Sequence, residues 1–261
     1  MSWSPKQYVA FEDERTRPAR DLLAAITSDA VSGAVDLGCG PGNSTELIAA
    51  RYPQARITGI DASADMIAAA RARLPEIRFE IADIRAWASK TGETSGGADL
   101  IFANAVLQWV PGHAELFPAL LAKLSAGGSL AVQVPDNLKE PAQVLMREIA
   151  RERPWREKLE SAERARLPIE SVEWYYRLLR ASCSSVDIWR TTYHHPLAGA
   201  GTIVEWFKGT GLLPFLAPLD PPERTIYLSR YTAAIEKAYP AEADGTVLLP
   251  FPRLFIVATR T

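Results

Sequence analysis

Residues 35–45, "VDLGCGPGNST", decide how the chain is read. An apolar run from Val35 to Leu37 ends at Gly38, and two more glycines follow at alternate positions, Gly40 and Gly42. Glycine loses more backbone freedom on folding than any other residue, so such a cluster needs a cause: left-handed backbone, or a group lying close to the main chain. Beyond it, "NSTELIAARY" (43–52) reads as a helix, and Asn43 with Glu46 has capping-box spacing. Strand, glycine turn and helix start, in that order, suit a ligand that lies against the strand's carboxyl end.

The same unit repeats downstream. "RITGID" (56–61) reads as a strand, "SADMIAAARARL" (63–74) as a helix and "IRFEIAD" (77–83) as a strand. "ADLIFANA" (98–105) is a fourth strand, residues 116–124 are helical, and "GSLAVQVPD" (128–136) is a fifth strand. Alternation of apolar strands with helices predicts an α/β fold, a parallel sheet with helices on both faces. After residue 137 the pattern changes to helices over 138–154, 155–167 and 172–181, a strand at "VDIWRTTYHH" (186–195), broken helix over 202–239 and a closing strand at 253–260. The expectation is one domain, 1–261, with a lid segment over 1–30 and helical inserts over 137–170 and 199–246.

Composition narrows the partners. A chain of 261 residues that is 48% hydrophobic has ample material for a core. A net charge of −2 gives no general attraction to nucleic acid or to an anionic membrane. The densest basic stretch, 147–166, is interleaved with glutamates and reads as solvated, salt-bridged helix faces, with Arg147 and Arg151 on one exposed face. Two cysteines, Cys39 and Cys183, offer no metal-ligand spacing. The opening residues lack an apolar signal core and no apolar run has spanning length, so a cytoplasmic location is expected.

Two ligand classes compete for the loop. A dinucleotide fingerprint places its last glycine where this chain has Asn43. The spacing Asp36-x-Gly38-x-Gly40-x-Gly42 instead resembles the loop of class I methyltransferases. That resemblance implies a Rossmann-like, seven-stranded, mostly parallel sheet with an antiparallel last strand, helices on both faces and helical inserts capping the active site. It also implies S-adenosylmethionine as cofactor and S-adenosylhomocysteine as product. Asp36, Gly38, Gly40 and Gly42 then serve the methionine part, Asp61 the ribose hydroxyls and Asp83 with Ile84 the adenine. Met66 and Asn104 complete the cofactor set, and Arg17, just before Pro18, is positioned to pair with the cofactor's carboxylate.

Longer stretches narrow the family. "SWSPKQYVAFEDERTRPA", "ADLIFANAVLQWVPGHAELFP", "VQVPDN", "VDIWRTTYHH" and "FPRLFIVA" together resemble the trans-aconitate methyltransferases along essentially the whole chain. One departure is Leu213, where a basic residue is expected in relatives. The implied reaction forms the monomethyl ester of a tricarboxylate, a small-molecule substrate. A carboxylate is already ionised at neutral pH, so no general base is expected and no catalytic residue is assigned. Gln108, Trp109, Tyr193, His195 and Arg253 are the expected acceptor ligands, on the reasoning that the sixth strand ends and the antiparallel last strand begins at the active face. Adjacent side chains on a strand point to opposite faces, so only one of His194 and His195 serves. Methylation of another acid or of a hydroxylated ring, and a silent cofactor-binding module, remain open alternatives at this point.

Overall fold

The computed structural model describes residues 12–90 and 97–261, so Tyr8 and Phe11 of the expected lid lie outside the described residues. Seven strands form one sheet in the order β3-β2-β1-β4-β5-β7-β6. They are β1 (Gly33–Leu37), β2 (Arg56–Asp61), β3 (Arg78–Ile81), β4 (Ala98–Asn104), β5 (Leu124–Pro135), β6 (Cys183–Leu197) and β7 (Val247–Arg260). β1 to β5 run parallel, and β7 is antiparallel to both its neighbours. The expected α/β sheet with an antiparallel last strand is therefore present. The order turns back at β1, between β2 and β4, which is where sheets of this kind open a crevice at their carboxyl ends.

Helices among the described residues are α1 (Glu12–Ala24), α2 (Asn43–Arg51), α3 (Ala64–Arg73), α4 (Ile84–Ser89), α5 (His113–Ala122), α6 (Pro141–Ala150), α7 (Arg156–Glu163), α8 (Val172–Leu179), α9 (Ala200–Lys208), α10 (Leu213–Leu216) and α11 (Pro221–Ala238). Helix α1 continues through Pro18. The chain divides into two compact units. The first runs to Val134 and resumes over Ile169–Arg190 and Leu254–Thr261. The second is made of Pro135–Pro168 and Thr191–Arg253.

In the first unit Leu100, Ile101, Phe102 and Ala103 of β4 are all fully buried. That is the run expected of a central parallel strand covered on both faces. Val35, Leu37, Ile60, Ile101, Val132 and Ile256 share its main core with Phe117 and Leu120 of α5 and Tyr175 of α8. The second unit packs α6 and α11 around Trp155, Tyr227 and Tyr231. Each buried polar tip there has a backbone partner, as burial demands. Tyr227 donates to the Met146 carbonyl at 2.8 Å, Tyr231 to the Ala142 carbonyl at 3.0 Å, and Trp155 to the Ile149 carbonyl at 2.6 Å.

Several boundaries differ from expectation. No capping box forms at Asn43. Gly42 caps α2 in a left-handed conformation (φ 96°), which turns the chain into the helix one residue early, and Glu46 pairs instead with Arg73 at 2.6 Å. A capping box does form at Asp220 and Glu223, at the start of α11. Strand β5 begins at Leu124 because Ala98 pairs with it, after which a bulge resets the register to Leu100–Ser129. Strands β6 and β7 both run further than expected, so Arg253 sits inside β7 rather than at its start.

Candidate active site

The three loop glycines all have positive φ, with values of 63°, 53° and 96° at Gly38, Gly40 and Gly42. Their surroundings differ. A methyl on Gly38 would lie 2.3 Å from Val106 Cγ2, in the loop after β4, so this glycine admits a protein neighbour. A methyl on Gly42 would touch Ala70 of α3 at 3.6 Å. A methyl on Gly40 would meet nothing within 4 Å among the described residues. Among the described residues Gly40 thus leaves its Cα side uncovered, as close approach of a ligand requires.

Asp61 ends β2 beside this opening. Its Oδ2 accepts from the Gly40 N–H at 3.0 Å and its Oδ1 from the Ser63 N–H at 2.8 Å. Ser63 in turn caps α3 by accepting from Met66 N–H at 3.3 Å, and Met66 itself is buried. The carboxylate is therefore held by backbone on either side, with acceptor capacity left over for hydroxyls. Ile81 pairs with Asp61 across the β2–β3 ladder and is 57% exposed. Sequence reasoning missed it, since an apolar strand residue reads as core. Asp83 caps α4, accepting from Ala86 N–H at 2.9 Å, with Ile84 buried behind it.

Asp36 was expected among the cofactor contacts, but the structure places it beneath the loop. It is 0% exposed, and its Oδ2 accepts from the Ser44 hydroxyl at 2.7 Å and the Thr45 hydroxyl at 2.6 Å. Burial pushes its carboxyl up to about 7, against the lowering effect of those two hydroxyls, and Asp61 adds a smaller upward push. Ser44 and Thr45 stand in the opening stretch, yet hydroxyls after a glycine turn carry no signal of a buried acid below them. Asp36 is a positioning residue that ties β1 to the first turn of α2. Cys39 is likewise buried, and burial pushes its thiol up, away from reactivity.

At the end of β4, the Asn104 Oδ1 is buried with no partner among the described residues. Asn104 lines a small pocket with Thr16, Gly38, Cys39, Asn43 and Ser44. The next residue, Ala105, holds φ 56°, left-handed backbone that an alanine seldom adopts. It is pinned on both sides: its N–H donates to the Gln133 carbonyl at 2.8 Å and its carbonyl accepts from Gln108 Nε2 at 2.6 Å. Gln108 is buried and its Oε1 has no partner among the described residues, while Trp109 is half-buried. His113 braces this turn. Its Nε2 bonds to the Leu107 carbonyl at 2.9 Å, so that nitrogen carries the proton and Nδ1 accepts from the Tyr175 hydroxyl at 2.7 Å. Arg17 is exposed on α1, one residue from Thr16 of the pocket.

The expected acceptor ligands Tyr193, His195 and Arg253 all lie in the second unit and meet there. Alternation along β6 buries Tyr193 and His195 and exposes His194. The His195 ring lies 4.7 Å from Trp206 and 6.0 Å from Phe251, centroid to centroid. The Arg253 guanidinium, in a residue only 3% exposed, lies 4.6 Å from the Phe251 ring and 5.9 Å from the Tyr193 ring. The Asp136 N–H donates to the Pro252 carbonyl at 2.9 Å, which sets Arg253 at the carboxyl end of β5. The buried guanidinium is thus faced by aromatic rings, which attract a cation.

The basic stretch 147–166 needs correction. Arg151–Glu163 and Arg164–Glu160 are the exposed ion pairs the sequence suggests. Arg147 is instead half-buried and donates to the Leu138 carbonyl, and Arg166 donates to the Pro135 carbonyl at 2.7 Å. The turn from α7 carries Arg166 inward, which helical periodicity alone does not reveal.

A family model described as "Methyltransferase domain" matches residues 34–128. The chain is 54% identical over 258 residues to a trans-aconitate 2-methyltransferase of Rhodopseudomonas palustris (strain BisA53), covering 99% of each chain. It is 56% identical to the protein of that name from Methylobacterium nodulans, over 99% of this chain and 98% of the relative. Among solved structures, the YcgJ protein of Bacillus subtilis superposes with a TM-score of 0.59 at 12% identity, over 94% of this chain and 98% of that one. A Haemonchus contortus phosphoethanolamine N-methyltransferase bound to S-adenosylhomocysteine superposes with a TM-score of 0.56 at 14% identity, over 94% of this chain and 52% of that one. These two likenesses concern the fold. With over half its residues shared along nearly its whole length, and with the glycine loop and Asp61 in place at the switch point of the sheet, the chain belongs to the trans-aconitate 2-methyltransferase family of class I methyltransferases.

Proposed function

We propose that the protein is an S-adenosylmethionine-dependent carboxyl O-methyltransferase that forms the monomethyl ester of trans-aconitate. The observation that carries this reading is the extent of identity. The shared methyltransferase segment ends at residue 128, whereas the matches to the relatives, 54% and 56% identical overall, extend over 99% of the chain. The matched length therefore includes the second unit.

The residues on the cofactor side fit the group. Gly40 leaves backbone uncovered, Asp61 has spare acceptor capacity, and Asn104 has a buried oxygen without a partner among the described residues. Asp61 would take the ribose hydroxyls, Asn104 the methionine ammonium and Ile81, Asp83 and Ile84 the adenine, with Arg17 near the carboxylate. When bound, S-adenosylmethionine supplies an electrophilic methyl group on a sulfonium. The acceptor carboxylate is ionised above about pH 4–5, so the chain has no proton to remove. Its work is to hold oxygen and methyl in line and keep water out. Arg253 grips a non-reacting carboxylate at two points, with Tyr193 and His195 beside it in the second unit.

Initial rates with trans-aconitate, cis-aconitate and a quinol test the reading. Trans-aconitate should be turned over with the highest kcat/KM, and the quinol not at all. Preferred turnover of the quinol would overturn it, and so would tight binding of S-adenosylhomocysteine with no transfer to any acid.

A further inference from the structure

Two arginines outside the acceptor set converge on one turn. Residues 135–138 follow β5 in the second unit, and the Pro135 carbonyl accepts from Arg166 at 2.7 Å while the Leu138 carbonyl accepts from Arg147. Each guanidinium carries five N–H donors, and these bonds use one apiece. The Arg166 Nε is buried with no partner among the described residues, and so is the Oδ1 of Asn137, in the same turn. Burial and then Arg147 push the Arg166 guanidinium down to about 10, with Asp136 acting the other way, while Glu163 and Glu148 act upward on Arg147. Bracing a four-residue turn does not require a buried donor left over. Such an arrangement is stabilised by an anion that binds both.

The turn is also tied to Arg253. The Asp136 N–H bonds the carbonyl of Pro252, the residue before it, at 2.9 Å. Three arginines are thus held around residues 135–138 and 252–253, all within the second unit. We propose that Arg166 and Arg147 form a second carboxylate seat of the acceptor site, separate from Arg253, so that each of the two non-reacting carboxylates has its own cation. This inference rests on the proposed tricarboxylate acceptor. It makes Arg166 a specificity residue: the third carboxylate, which distinguishes trans-aconitate from ordinary diacids, is recognised there.

The test removes the arginine and the carboxylates in turn. Glutaconate, itaconate and mesaconate each lack a different one of the three carboxylates of trans-aconitate. Their binding and that of trans-aconitate are titrated to the protein saturated with S-adenosylhomocysteine, for the parent and for Arg166→Gln. The variant should lose about tenfold or more in affinity for trans-aconitate and for two of the diacids, and bind the third as the parent does. An equal loss for all four acids, or no loss for any, overturns the proposal and leaves Arg166 as a brace for the turn. Arg166→Lys, which keeps the charge, is judged by the same criterion if the glutamine variant does not fold. A parent that binds trans-aconitate no better than the diacids overturns the acceptor reading itself, a result distinct from any failure of the variant.

Discussion

At Gly38 an added methyl would lie 2.3 Å from Val106, whereas at Gly40 it would meet nothing within 4 Å among the described residues. The two substitutions should therefore separate stability from binding. Gly38→Ala forces both a left-handed alanine and a clash, and should cost about 2–4 kcal/mol of stability in a denaturant melt. Gly40→Ala carries only the conformational cost, about 1 kcal/mol, yet its methyl enters the space left for the cofactor. S-adenosylhomocysteine affinity should fall by about tenfold or more in calorimetric titration while the melt moves little. Asp61→Ala should also weaken that affinity, by about 2–4 kcal/mol, through the loss of a charged acceptor for two hydroxyls. The loop's glycines, Asp61 and their order were all legible in the sequence, because spacing after a strand fixes them. What was not legible was the division of labour among them. Val106 is distant in sequence from Gly38, and Asp36 is drawn under the loop by hydroxyls that a motif does not weigh.

Asp36 makes the β1–α2 junction sensitive to pH. Its carboxyl is raised from 3.8 to about 7 by burial, so the folded chain keeps a proton that the unfolded chain has lost. Below about 4 both states are protonated and the junction carries no penalty. Between about 4 and 7 stability falls as pH rises, by roughly 2–4 kcal/mol in all. Asp36→Asn still accepts from Ser44 and Thr45 but has no proton to lose. Its stability should stay level across that window and exceed the parent's at pH 8, as followed by melts at fixed intervals of pH. Elsewhere at this scale, strand and helix type were legible from alternation and periodicity, and the ends were not. Gly42 displaced the expected cap at Asn43, and the bulge near Ala98 brought β5 forward to Leu124. Both effects arise from backbone geometry and pairing partners rather than from side-chain pattern.

At the scale of the whole molecule, the proposed acceptor ligand Arg253 lies in the second unit. Arg253→Lys keeps the charge but loses the planar two-point grip. KM for trans-aconitate should rise about tenfold and the ratio of ester isomers should relax, with S-adenosylhomocysteine affinity unchanged. Steady-state kinetics and NMR of the product read all three. The second unit was the least legible part of the chain. Its arginines at 147 and 166 look like members of a solvated charge run until the fold brings residues 135–138 against them. Only Tyr193 and His195, two apart on a strand, share a face by rule.

The most direct test of the central claim is the identity of the product. The protein is incubated with trans-aconitate and S-adenosylmethionine carrying a ¹³C methyl group, and the mixture is followed by NMR and mass spectrometry. One labelled methyl ester on one carboxylate is expected, formed in step with S-adenosylhomocysteine. A label found on any other kind of atom, or none transferred to trans-aconitate while another acceptor is consumed, would contradict it.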